Sequence, residues 1–209
     1  MFYGFTVRFL CAVLISGALG ASIAVAANQY IELSPPVEKL EGTQIEVVEV
    51  FSYGCQHCYN LENTINPWVE TLPADVKFER IPAMFGGIWD IHGRLFLTLQ
   101  VMQADPSVHR AVFEAIRHRQ KLVSPDQMGD FLLGQGIDKA LFIKVYASDE
   151  VQARVIDAQQ KVRAYGVTGV PVLIVDRKYR FDQSAGGPEG MLRLAERLIS
   201  QERVARQQP

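Results

Sequence analysis

The chain has 209 residues, of which 21% are charged, and a formal net charge of −2 at pH 7. This balance argues against a nucleic-acid-binding protein, which would carry a strong excess of basic residues. The length fits one ordinary domain, or a small domain with an insertion, and the sequence shows no internal repeat or low-complexity segment.

Residues 1–26 have the pattern of a cleaved secretory signal peptide. One cation, Arg8, precedes an apolar stretch from Phe9 to Leu19, and a small-x-small sequence follows at positions 24–26. The apolar stretch is shorter than the roughly 20 residues that span a bilayer, which disfavours the alternative of an uncleaved membrane anchor. We therefore expect an exported mature chain that keeps 183 of the 209 residues.

Residues 27–84 predict the first part of an α/β domain, with strands and a helix in alternation. Strands are expected at 29–33, 45–51 and 76–82. The helix opens near Cys55, is kinked or restarted at Asn66–Pro67, and stops at Pro73. The crossover rule makes the strands on either side of this helix parallel.

The pattern changes between residues 85 and 147, where no strand signal occurs. Apolar residues recur there at helical spacing, and polar caps mark the starts of successive helices. These starts are expected at Asp105–Pro106, Ser124–Pro125 and Asp138. The segment is therefore predicted to be a compact α-helical insertion.

Residues 148–209 predict the second part of the α/β domain. Ser148 caps a long helix that ends at Gly166. Two short strands are expected next, at 172–175 and 179–181. A final helix begins at 186–188, and the tail from Gln201 onward is expected to be frayed. This order of elements predicts an α/β fold with a mixed central sheet and an inserted α-helical domain.

Cys55 and Cys58 form a C-x-x-C motif at the junction between a strand and a helix, and they are the two cysteines of the mature chain. A thiol pair at such a junction suits repeated oxidation and reduction. A purely structural disulfide is a weaker alternative, because closing a ring of about four residues stabilises a fold by only roughly 2 kcal/mol. Zinc binding is also disfavoured, since His92, His109 and His118 are not spaced as a second ligand pair.

The order of elements resembles the thioredoxin fold, and with the insertion it resembles the DsbA family of periplasmic thiol:disulfide oxidoreductases. The resemblance covers residues 29–205. Its most specific segments are FSYGCQHCYN at 51–60, RIPAMFGG at 80–87 and GVTGVPVLIV at 166–175. It implies that Cys55 is the sulfur attacked by a substrate thiolate and Cys58 the resolving cysteine, and that their redox-active disulfide is donated to reduced exported proteins.

The resemblance also assigns roles away from the cysteines. Pro171 corresponds to a proline with a cis peptide bond beside the cysteine pair, and Val170 and Pro171 would bind an extended substrate chain. Glu49 matches a buried carboxylate six residues before the first cysteine, and Arg80 stands where the family usually has its lysine partner. Judged from strand alternation alone, Glu49 would face solvent.

The N-terminus of the helix favours a thiolate at Cys55, because its free N–H groups and dipole attract an anion. His57 is expected to stabilise that thiolate further, with an exposed spacer as the alternative. Cys58, one turn further on, is expected to be buried and unreactive. The family's usual dipeptide between the cysteines is Pro-His, whereas this chain has Gln56–His57. The substitution of Gln56 leaves the redox potential open.

The resemblance further implies a monomer in the periplasm that needs no cofactor or metal, binds no nucleic acid, and is reoxidised by a DsbB-like, quinone-linked membrane partner. Two alternatives stay open, namely a disulfide isomerase or reductase of the same compartment and a non-enzymatic, chaperone-like exported binder. Val170 favours the oxidase, because the family's isomerases typically carry threonine before this proline. Isomerases also usually bring a separate dimerisation domain, for which 183 mature residues leave no room.

Overall fold

The structure is a computed structural model, and it describes residues 29–37 and 44–207 together with Met1. The predicted signal peptide at 1–26 lies, apart from Met1, outside the described residues. Within the described ranges, no helix combines the length and the apolar character needed to cross a membrane.

A five-stranded mixed sheet lies at the centre of the fold, with the strand order β1-β5-β4-β2-β3. The strands are β1 (Ile31–Glu32), β2 (Ile45–Phe51), β3 (Val76–Pro82), β4 (Val172–Val175) and β5 (Tyr179–Asp182). β3 runs parallel to β2, while β4 is antiparallel to β2 and β5. Every residue of β2 is buried, which fits its four β-branched residues, while Glu46 and Glu49 are buried charged exceptions.

Seven α-helices are found in the part of the chain that the structure describes. They are α1 (Gln56–Glu70), α2 (Ile88–Val101), α3 (Pro106–Arg117), α4 (Pro125–Leu133), α5 (Lys139–Tyr146), α6 (Asp149–Ala164) and α7 (Gly187–Ala205). The predicted caps are confirmed, since four side chains accept a first-turn N–H: those of Asp105, Ser124, Asp138 and Ser148. Helices α2 to α5 follow β3 without an intervening strand, so the predicted α/β fold with a helical insertion is confirmed.

The two faces of the sheet have separate hydrophobic cores. Alternation along β2 places Val48 and Val50 in the core shared with Cys58 and the helices of the insertion. Ile45 and Val47 belong to the other core, which α1 and α7 cover. Glu49 is fully buried at 0% exposure, so the expectation from alternation that it faces solvent is wrong.

Helix α1 differs from its prediction at Pro67. The helix runs unbroken from Gln56 to Glu70 with Pro67 inside it, so the predicted restart is wrong. Asn66 does not act as a cap there. Its side-chain amide donates to Glu62 at 3.0 Å and its oxygen accepts from Arg80 at 2.5 Å. The Asn66 side chain is therefore engaged by Glu62 and Arg80 and does not cap a new helix.

The end of α7 also differs from its prediction. The helix continues to Ala205 instead of fraying from Gln201. Glu202 is 2% exposed, and its carboxylate accepts hydrogen bonds from Lys178 and from Tyr179 Oη. These contacts with the β4–β5 hairpin hold the last turns of the helix in place.

Candidate active site

Cys55 is the N-cap residue of α1, immediately after the turn that follows β2. Its backbone is extended (φ −92°, ψ 116°), and its Sγ accepts a hydrogen bond from the backbone N–H of Cys58 at 3.2 Å. The first N–H groups of a helix have no intrahelical partner, and the helix dipole is positive at this end. The half-buried sulfur of Cys55 is therefore accessible and placed where an anion is favoured.

The two cysteines, both free thiols in the structure, have opposite acidities. The hydrogen bond from the Cys58 thiol lowers the pKa of Cys55 to about 6, against the opposing effect of partial burial. Backbone N–H groups of Cys58 and His57 lower this pKa further, and the charge of the exposed His57 contributes less than they do. Burial raises the pKa of Cys58, and its hydrogen bond to Cys55 adds to the rise. One sulfur is thus a reactive thiolate and the other an inert thiol.

The acidity of Cys55 predicts a pH profile for its alkylation. In the reduced protein, the rate with iodoacetamide should reach half its plateau near pH 6 instead of near ~8.5, the ordinary pKa of a thiol. Because the pKa is lowered by folding, the reduced protein should also gain stability as pH rises between these two values. Cys58→Ala, which leaves no side-chain donor at this position, should shift the midpoint upward. A midpoint above pH 8 in the unmodified protein would contradict the assignment.

The Val170–Pro171 peptide bond is cis and lies beside Cys55. The carbonyl oxygen of Val170 is 3.6 Å from Cys55 Sγ. This proximity follows from the sheet, since β4 begins directly after Pro171 and pairs Val172 with Val50 near the end of β2. An open cavity of about 560 Å³ adjoins this loop, between residues 166–172 and strands β1 and β5.

The fully buried Glu49 forms an ion pair with the partly buried Arg80. The parallel register of β2 and β3 places the two residues side by side, and Arg80 Nε donates to Glu49 Oε2 at 2.8 Å. Burial raises the pKa of Glu49 to about 7 although Arg80 opposes the rise, and Glu49 Oε1 has no hydrogen-bond partner among the described residues. The charge of Glu49 is one of the factors that raise the pKa of Cys58. A carboxyl group with this pKa can gain or lose a proton at neutral pH.

The ion pair belongs to a larger polar network whose other members the sequence did not reveal. Glu62 Oε1 of α1 lies 3.4 Å from Arg80 Nη2, and Glu62 Oε2 lies 3.5 Å from His109 Nε2. The other ring nitrogen of His109 is 2.8 Å from Tyr53 Oη. Burial opposes ionisation of Glu62, but His109 and Arg80 outweigh it and lower the pKa of this carboxyl. The sequence indicated the buried role of Glu62 only weakly, through its position beside the apolar face of an amphipathic helix.

Gln56 joins the cysteine motif to the helical insertion. Its Nε2 donates to Asn60 at 2.8 Å, and its Oε1 accepts a hydrogen bond from Arg117 at the end of α3. Gln56 and Arg117 are 61 residues apart in the sequence, so no local pattern could have indicated the contact. In the described part of the chain, no group of three or more His, Cys, Asp or Glu residues is placed to hold a metal ion.

Comparison with known proteins identifies close relatives. The family model for the DSBA-like thioredoxin domain matches residues 92–198. The thiol:disulfide interchange protein DsbA of Pseudomonas aeruginosa is 50% identical over 202 residues, which cover 96% of each chain. The corresponding protein of Azotobacter vinelandii is 51% identical over 180 residues, covering 85% of this chain and 84% of that protein.

Solved structures show the same similarity in three dimensions. The crystal structure of Pseudomonas aeruginosa DsbA matches with a TM-score of 0.84 and 52% identity, covering 86% of this chain and 95% of that one. The oxidoreductase DsbA from Xylella fastidiosa matches with a TM-score of 0.79 and 30% identity, covering 84% and 96%. The thioredoxin-like fold expected from the sequence is thus confirmed.

Proposed function

The chain belongs to the DsbA family and is a thiol:disulfide oxidoreductase, and from this premise we propose that it donates its Cys55–Cys58 disulfide to reduced exported proteins. The observation that carries the direction of transfer is the lowered pKa of Cys55 at the start of α1. A stabilised thiolate favours the dithiol form of the protein over its disulfide. The disulfide is therefore a strong oxidant.

The reaction proceeds by two thiol–disulfide exchanges. A substrate thiolate attacks Cys55 Sγ, the Cys55–Cys58 bond breaks, and Cys58 leaves with the electron pair and takes up a proton. A second substrate thiolate then attacks the substrate sulfur of the mixed disulfide, and Cys55 leaves as a thiolate. The substrate loses two electrons and two protons; the protein gains the two electrons and one proton, at Cys58, and the other proton passes to solvent.

Neighbouring residues support these steps. Val170 and Pro171 bind the substrate backbone next to the attacked sulfur, since the Val170 carbonyl already lies 3.6 Å from it. His57 adds a smaller stabilisation of the Cys55 thiolate. Glu49, whose pKa is about 7, tunes the uptake of the proton by Cys58. Arg80 holds Glu49 in place through its 2.8 Å hydrogen bond.

The setting of the reaction follows from the family and the N-terminal sequence. Residues 1–26 act as a signal peptide that directs the chain to the periplasm. There the protein acts as a monomer, and a DsbB-like, quinone-linked membrane protein reoxidises it. The thioredoxin-like domain consists of residues 27–84 and 148–209, with the helical insertion at 85–147 between them. These assignments rest on the similarity to DsbA proteins.

Equilibration with glutathione buffers tests the direction of transfer. We expect a redox potential far above that of thioredoxin, about −270 mV, and toward the value known for DsbA, about −120 mV. The fractions of dithiol and disulfide can be read by alkylation of free thiols and mass spectrometry. A potential near that of thioredoxin would reject the oxidase and favour the alternative of a reductase or isomerase.

A further inference from the structure

Two arginines of α3 stack on an aromatic ring next to the cysteine motif. The guanidinium carbons of Arg110 and Arg117 lie 4.5 Å and 4.3 Å from the centroid of the Tyr59 ring. Tyr59 directly follows Cys58, and its backbone N–H donates to the carbonyl of Cys55 at 3.1 Å. We call Arg110, Arg117 and Tyr59 the arginine platform.

The two arginines of the platform differ in their charge partners. Arg110 pairs with Glu114 at 2.9 Å and donates to Tyr59 Oη at 2.9 Å. Arg117 is exposed, and no carboxylate of the described residues lies within 4.0 Å of its guanidinium. Its hydrogen bond goes to the neutral amide of Gln56. A guanidinium has five N–H donors in a planar fork that matches a carboxylate, so Arg117 keeps donors for an incoming anion.

The residues that follow α3 strengthen the positive charge at this edge. Arg119 and Lys121 are both exposed, and across the described ranges neither forms an ion pair with a carboxylate. Glu114, already held by Arg110, is the acidic side chain that faces the platform from its own helix. The edge of the active site formed by the end of α3 is therefore cationic.

The platform adjoins the cysteine motif through Gln56. Cys55 Sγ contacts the Val170 carbonyl, and Gln56, the next residue, contacts Arg117. An extended chain advances about 3.3 Å per residue, so a side chain two or three residues from the bonded cysteine lies roughly 7–10 Å from it. From this placement we infer that Arg117 selects substrates with aspartate or glutamate two or three residues from their reactive cysteine. The inference rests on the proposed disulfide-donating function.

This selection is separate from the chemistry of the cysteines. The main influences on the pKa of Cys55 are its side-chain hydrogen bond with Cys58, its partial burial, the backbone N–H groups of Cys58 and His57, and the charge of His57, and Arg117 is not among them. A change at Arg117 should therefore alter which thiols react, and leave the equilibrium with glutathione where it was.

The test measures single-turnover rate constants of the oxidised protein with dithiol peptides that carry Glu, Gln or Lys two residues after the cysteine that attacks Cys55. The unmodified protein should prefer the Glu peptide to the Lys peptide, and Arg117→Gln should lower this rate ratio by roughly two- to fivefold. Arg117→Glu should lower it further. Raising the salt concentration should bring the Glu-to-Lys rate ratio of the unmodified protein closer to one, because salt screens exposed charges.

The matched control is Arg197→Gln, which removes the same charge from an exposed arginine of α7. It should leave the ratio unchanged. Comparing ratios between protein variants cancels the effect that each peptide's own charge has on its thiols.

A ratio in Arg117→Gln equal to that of the unmodified protein, with all peptides oxidised, would overturn the selection and leave the proposed function intact. An altered glutathione equilibrium in Arg117→Gln would also overturn it, because the arginine would then act through Cys55. If the unmodified protein oxidised none of the peptides, the proposed function itself would fail.

Discussion

Replacing Cys55 by serine is expected to abolish disulfide transfer, while replacing Cys58 by serine is expected to leave a protein that accumulates as a mixed disulfide. The difference follows from exposure and acidity. Cys55 is half-buried with a pKa of about 6, whereas Cys58 is 0% exposed with a raised pKa. The remaining sulfur of Cys55→Ser therefore has neither access to substrate nor a significant thiolate fraction at pH 7.

The two variants can be compared with oxidised glutathione and with dithiol peptides. In Cys58→Ser, the Cys55 thiolate should attack glutathione disulfide, form a mixed disulfide with one glutathione, and release the other as a thiolate. This adduct should persist because no internal thiol can displace it. Cys55→Ser should form no adduct and show no turnover above background. If Cys55→Ser kept full activity in assisting the folding of a client protein, the chaperone-like binder would be the better description.

Local signals in the sequence were sufficient for most of the fold. The helix caps at Asp105, Ser124, Asp138 and Ser148 act within one turn, so short patterns identify them. The run at 45–51 is β-branched because β2 is buried on both faces. The predictions failed where distant contacts decide the outcome. The polar tail of α7 is ordered by Glu202, whose partners lie on another element 23 and 24 residues away.

In the candidate site, too, the features set by local sequence could be predicted and those set by distant contacts could not. The position of Cys55 at the start of a helix could be derived from the chain, and the role of Pro171 could be expected from family resemblance. The network around Glu49 could be anticipated only in its Arg80 partner, since His109 reaches Glu62 and Tyr53 from a different helix. These groups meet because α3 packs over the cysteine motif, and that packing has no signature at short range.

Arg80→Met is expected to destabilise the protein in a pH-dependent way. Removing Arg80 leaves the charge of Glu49 without compensation, and because this carboxyl already has a pKa of about 7 and can take up a proton instead, the resulting loss at pH 8 should be about 1–2 kcal/mol. Arg80 is the charge partner of Glu49 at 2.8 Å, and it also lies 3.4 Å from Glu62. Glu62 keeps His109 and Asn66 as partners, so the main penalty falls on Glu49.

The stability lost in Arg80→Met should increase with pH. Burial raises the pKa of Glu49 in the folded protein from 4.5 to about 7, so the stability associated with its protonated form is complete below 4.5 and lost as pH rises towards 7. Without Arg80, which lowers this pKa, the decline should extend to higher pH. The stability difference between the two proteins should therefore be small at pH 5 and large at pH 8.

Urea unfolding of the oxidised proteins at pH 5 and pH 8 measures this difference. Arg203→Met is the matched control, because Arg203 makes a similar pair with Asp75 at 2.7 Å on the exposed surface, and its loss should be far smaller at both pH values. The double variant Glu49→Gln/Arg80→Met should recover part of the stability at pH 8, since it removes the uncompensated carboxylate along with its partner. A loss in Arg80→Met below about 1 kcal/mol, equal at both pH values, is what an exposed pair would give. It would show that Glu49 is solvated or neutral in the folded protein, and proton tuning of Cys58 by Glu49 would then have no structural basis.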